Sequence, residues 1–113
     1  MAVALILLTA AGAAAQGLTG KWDAKNFDGQ RFSLVLRRDG SKLSGTCDGR
    51  ELSGSVVEDR RFHFKVAPYK DAQGRTISKY YDGYFGHDFI TGALVIHTAS
   101  DQAVYQWSAE RVR

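Results

Sequence analysis

From Gly17 onward the chain alternates apolar and polar residues with a period of two, broken every eight to twelve residues by Asp-Gly or a related turn signal. A period of two puts alternate side chains on opposite faces of a strand, and no segment carries the 3.6-residue period of an amphipathic helix. Strands are therefore expected over about Gly20–Lys25, Gln30–Arg38, Lys42–Cys47, Arg50–Val57, Arg61–Ala67, Arg75–Phe85, Asp88–His97 and Gln102–Val112, with the single proline, Pro68, in a loop. Connections this short join antiparallel neighbours. Eight such strands in one small domain imply an all-β, eight-stranded antiparallel up-and-down barrel, because closure removes the edges that invite aggregation.

Two turns predict register. Asp48-Gly49 suits a type I′ hairpin, which needs positive φ at both central residues, and sets Thr46 opposite Glu51, Gly45 opposite Leu52 and Leu43 opposite Gly54. Gly86-His87 suits type II′ and sets Tyr84 opposite Phe89, Gly83 opposite Ile90 and Tyr81 opposite Gly92. Both hairpins then face a large residue against glycine, a weak internal repeat that lets strands coil sharply and admits bulky neighbours, Trp22 and Trp107. Phe32, Leu34, Leu36, Val56, Phe62, Phe64, Val66, Ile77, Phe85, Leu94 and Ile96 share the inward phase, enough to nearly fill the barrel.

The first residues read differently. An apolar run, Val3 to Leu8, is followed by Ala13-Ala14-Ala15, the small-residue pattern of a cleavage site, so residues 1–15 are expected to be a signal peptide and 16–113 one barrel domain, periplasmic or secreted. No apolar stretch is long enough for a membrane span. The charge of +3, from 15 Lys and Arg against 12 Asp and Glu, favours solubility. Cys47 stands alone, excluding an intramolecular disulfide, and its phase places it on the apolar face as a small buried hydrophobe.

Gly20-Lys21-Trp22 on the first strand and Arg111 on the last resemble the Gly-x-Trp and closing arginine of the calycin barrels, which include the lipocalins and avidin-like proteins. The resemblance implies that Arg111 lies across Trp22 and closes one end, a cation–π arrangement. The chain is also similar to small secreted bacterial barrels of unassigned function built from apolar-x-Gly strands and, more loosely, to periplasmic barrel inhibitors of lysozyme and metalloproteases.

Catalytic signals are sparse. His63, His87 and His97 lack metal-ligand spacing, and the acidic residues gather at turns, so no catalytic residue, metal or cofactor is expected. Two binding constellations stand out. Strict alternation turns Lys79 inward, where an ammonium needs a rim position, a bulge or an anionic partner. In the last case Lys79 and Arg111 supply charge and Tyr81 and Tyr105 supply hydroxyls for a small hydrophobic anion. Separately, Tyr80, Tyr84, Phe89, Ala93 and Val95 fall on the outer face of the sixth and seventh strands, where polar residues are usual. This patch suits a partner surface unless the loop from Pro68 to Gly74 covers it. Outward basic residues such as Arg37, Arg38 and Lys65 read as a solvated face, not a nucleic-acid site. The expectation is an exported, non-catalytic binding module, monomeric or weakly dimeric. Its partner is an envelope or extracellular protein, bound as an inhibitor would bind it or simply docked, or else a small hydrophobic anion carried inside.

Overall fold

A computed structural model describes residues 17–113, so the expected signal peptide lies outside the described residues. The strands are β1 (Gly20–Asn26), β2 (Arg31–Asp39), β3 (Lys42–Cys47), β4 (Arg50–Glu58), β5 (Arg61–Lys70), β6 (Thr76–Phe85), β7 (Phe89–His97) and β8 (Gln102–Arg111). Each pairs antiparallel with the next, and β1 pairs with β8, which closes the barrel as the alternation predicts. No helix among the described residues is long and apolar enough to cross a membrane.

The side chains inside are those the period of two selects. Trp22, Leu34, Leu36, Phe62, Phe64, Val66, Ile77, Leu94 and Trp107 are buried, with Phe32, Phe85 and Ile96 packed against them. Aromatic rings occupy much of the interior. Tyr81 stacks on Phe64 at 4.9 Å and meets Trp107 edge-on at 5.4 Å, while Phe62 also makes a T-shaped contact with that indole at 6.3 Å.

The turn of the first hairpin forms as expected, but the predicted pairs Gly45–Leu52 and Leu43–Gly54 do not. Asp48 and Gly49 have φ of 53° and 78°, and Thr46 pairs with Glu51. Beyond that pair the ladder is irregular: β4 bulges between Leu52 and Gly54, and Leu43 exchanges hydrogen bonds with the Ser55 hydroxyl. A bulge inserts one residue and reverses the facing of everything after it. Val56, expected inside, is therefore exposed, and Val57 is buried in its place.

The second hairpin differs by one step. Gly86 donates to the Phe89 carbonyl, so the turn centres on His87-Asp88 and Gly86 does not adopt positive φ. The cause is β8. The Arg111 backbone N–H donates to the Asp88 carbonyl and its Nε to that of His87, which draws the turn one residue along. Facing is preserved but pairing moves by two: Gly83 opposes Gly92, Tyr81 opposes Leu94, Lys79 opposes Ile96, Tyr80 opposes Val95 and Tyr84 opposes Thr91. Glycine thus faces glycine here, not a large residue.

Trp107 explains that pair. Its Nε1 donates to the Asp82 carbonyl at 2.9 Å and to the Ala93 carbonyl at 3.2 Å, while the Ala93 N–H turns to Asp82 Oδ1. The indole N–H thus bridges β6 and β7 at the Asp82–Ala93 pair. A Cβ on Gly92 would sit 1.8 Å from the Asp82 carbonyl oxygen.

Pro68 belongs to β5, not to a loop. It lies within a bulge between Val66 and Tyr69, one of the few places a strand tolerates a residue without an N–H. The true β5–β6 connection is short. There Asp71 accepts from the Arg75 and Gln73 N–H groups and from the Arg75 guanidinium, which hold its carboxyl below the usual range.

Candidate functional site

The strand directions give the barrel two unlike ends. At one lie the turns at Gly40-Ser41, Asp59-Arg60 and His87-Asp88 with the start of β1; at the other lie the turns at Phe27–Gln30, Asp48-Gly49, Asp71–Arg75 and Thr98–Asp101.

Arg111 closes the first end. Its guanidinium carbon lies 4.3 Å from the centre of the Trp22 ring. Its NH1 donates to the Thr19 carbonyl, its NH2 to that of Gly17 and its Nε to that of His87. The Trp22 Nε1 donates in turn to the Leu18 carbonyl. Gly20, at φ 143°, is needed where it stands because a Cβ would lie 3.0 Å from Arg111 NH1. The eight-stranded closed barrel with this Trp–Arg closure is compatible with a calycin-like fold. No family model matches the chain, and neither a curated protein nor a solved structure matches it.

The four residues expected to hold an internal anion are not gathered at one point. Lys79 is half-buried near the second end, in the stretch of β6 that faces the Val66–Tyr69 bulge. Seven residues of extended chain, roughly 20 Å, separate it from the turn that Arg111 binds. Tyr81, two residues along from Lys79, is buried close to the Cys47 thiol, and Tyr105 stacks on Phe27 at 4.1 Å.

Cys47 is buried, as its phase implies. Burial pushes its thiol up to about 11 from 9.0, outweighing the neighbouring Tyr81 hydroxyl and Lys79, both of which act downward. The same loss of hydration raises the Tyr81 phenol. A thiol raised in the fold favours the folded state fully below the unfolded value, and that contribution disappears as pH climbs through the folded one. Stability should therefore fall from about pH 9, with Tyr81 adding to the fall above about pH 10, and Cys47→Ala should flatten the curve between about pH 9 and pH 10. Urea titrations at stepped pH check this. Iodoacetamide at pH 8 should leave the native thiol unmodified while labelling it rapidly in denaturant.

The outer face holds the larger opportunity. Tyr84 and Phe89 are 52% and 56% exposed, and Tyr80 is 40% exposed. The Pro68–Gly74 segment is strand and tight turn near the second end, and these rings stay open. The register divides the expected patch in two. Tyr80 pairs with Val95, which pairs with Val104, a residue 62% exposed that strand-by-strand reading passed over. The next outward row, Asp82, Ala93 and Gln106, is polar at both ends, and beyond it Tyr84 opposes Thr91.

Beside Tyr84 runs a groove of about 560 Å³ across β4 to β7, lined by Val56, Glu58, Arg61, His63, Asp82 and Thr91 among others. The Arg61 guanidinium rests over the Tyr84 ring at 5.0 Å. Val56 reaches this groove only because the β4 bulge turned it outward. A second recess of about 450 Å³ lies over β1, β8 and β7, beside Phe27, Gln106 and Ser108. Lys79, Tyr81, Tyr105 and Arg111 line neither.

Of the histidines, His63 lies on the outer face opposite Asp82, His97 meets Tyr80 edge-on at 5.6 Å, and His87 sits in its turn.

Proposed function

We propose that this chain is an exported, non-catalytic binding module of calycin-like build, periplasmic or secreted, that engages a protein partner through the outer face of β4 to β7. One observation carries the reading: the Tyr84 ring stands half in water on a strand face, lining a groove together with the exposed Val56. An exposed tyrosine with an arginine over its face offers a large, rigid contact area with a polar tip, the kind of anchor around which protein interfaces concentrate binding energy. Glu58, Asp82 and His63 at the groove walls supply hydrogen-bonding groups of the sort found at an interface rim. The inhibitor-like form of this reading, in which the barrel covers a partner's own site, uses the same face.

Tyr84→Ser should leave the fold intact, with far-UV circular dichroism unchanged and stability within about 1 kcal/mol of wild type, because the ring contributes nothing to the interior. Capture of a specific partner from envelope extract should drop at least tenfold. Equal capture by wild type and variant, or no specific capture by wild type, would overturn the proposal.

A further inference from the structure

At the end of the barrel opposite Arg111, two cations converge on one aromatic ring. The Arg50 guanidinium carbon lies 3.7 Å from the centre of the Tyr69 ring, and the Lys79 ammonium lies 5.5 Å from it. They arrive from different strands: Arg50 opens β4 opposite the inward Cys47, Lys79 faces inward on β6, and Tyr69 follows the β5 bulge. Among the described residues neither cation forms an ion pair or a side-chain hydrogen bond. Stacking uses the flat face of a guanidinium and leaves its in-plane N–H groups free for a two-point contact with an oxyanion. The Lys79 ammonium adds up to three more donors.

The surroundings define what fits. Leu52 pairs with Val66 and Val66 with Lys79, which pairs with Ile96, so the inner-face positions beside the cations are aliphatic. Below them Cys47, Tyr81 and Phe64 are buried and packed, which makes the site shallow. Asp48 is close enough to act on Cys47, yet it forms an ion pair with neither cation and leaves their positive charge in excess.

We infer that Arg50, Lys79 and Tyr69 form a shallow oxyanion-binding site at this mouth, which takes a carboxylate or phosphate group bearing a short apolar substituent. Arg50 engages the oxyanion at two points, Lys79 neutralises it, and Leu52 and Ile96 contact the apolar part. The inference is independent of the outer-face reading, since the two sites share no residue.

The test is a titration of the 15N-labelled protein at low salt, followed by two-dimensional NMR, with inorganic phosphate in one arm and hexanoate in the other. Saturable shifts should appear at the amides of Arg50, Tyr69 and Lys79, with hexanoate the tighter ligand because of the aliphatic wall; phosphate binding as tightly would overturn the apolar half of the inference. Arg50→Gln and Lys79→Met should each weaken binding at least tenfold, whereas Tyr84→Ser should leave it unchanged. Lys79→Met keeps the length of the stem and removes the charge, so it should fold. If it does not, Arg50→Gln at an exposed position gives the same reading. No saturable shift with either anion, shifts spread over surface lysines and arginines alike, or affinity unchanged in Arg50→Gln overturns the inference.

Discussion

Gly92→Ala is expected to remove about 3 kcal/mol or more of stability, a large part of what a domain of this size possesses. The added methyl group would lie 1.8 Å from the Asp82 carbonyl oxygen and 2.7 Å from the Gly83 Cα, both backbone atoms with no rotamer to escape by. Retreat is blocked from inside as well, because the Trp107 indole holds the Asp82 and Ala93 carbonyls where they are. Gly54→Ala is the matched control. Its methyl would meet only the end of the Lys65 side chain, Cε at 3.2 Å and Nζ at 3.9 Å, which can swing into water, and should change stability by less than about 1 kcal/mol. Urea denaturation of the two variants gives the comparison. Near-equal midpoints would mean that the strands do not close around the indole in this way.

The same indole bridge shows what the period of two reveals and what it hides. Alternation identifies Gly83 and Gly92 as inward and Trp107 as the bulky residue needing space, because those statements depend on facing alone. It cannot reveal that the indole N–H bridges two strands, since that depends on which residues oppose each other across β6 and β7. Facing survived the displaced second turn; pairing did not. Asp48-Gly49 was legible because both of its residues adopt the positive φ that the turn type demands. Gly86 misled because its freedom goes unused: the Arg111 hydrogen bonds to the His87 and Asp88 carbonyls, from a residue more than twenty positions away, decide where the chain reverses.

Bulges are the other loss. Nothing in Leu52-Ser53-Gly54 or Ala67-Pro68 states how many residues stand out of register, yet the first bulge moves Val56 from core to groove, and the second carries Pro68 into β5. The outer-face site was therefore half visible. Tyr84 and Phe89 follow from phase, whereas Val56 requires the ladder. Arg50 and Tyr69 could not be joined to Lys79 for the same reason, since their meeting at one ring is made by three strands and two irregularities.

The second large effect should come from Arg111, where charge is the lesser part of the interaction. Arg111→Lys keeps the cation but has no planar fork to reach the Gly17, Thr19 and His87 carbonyls together while lying flat on Trp22. Leaving part-buried carbonyls unpartnered and weakening the cation–π contact should together cost about 3 kcal/mol. The loss should be local before it is global: hydrogen exchange at Thr19, Gly20 and the His87-Asp88 turn should quicken far more than at Phe64 or Val66 on the other side of the core. Arg111→Met separates the contributions, since it retains much of the packing on the indole and removes every donor. In a double-mutant cycle with Trp22→Phe, which keeps a ring but loses the N–H bond to Leu18, the two changes should couple by about 1 kcal/mol, because the indole and the guanidinium hold the same Gly17–Thr19 segment from two sides. Strict additivity, or an Arg111→Lys protein as stable as wild type, would show that closure of this end rests on strand pairing between β1 and β8 alone.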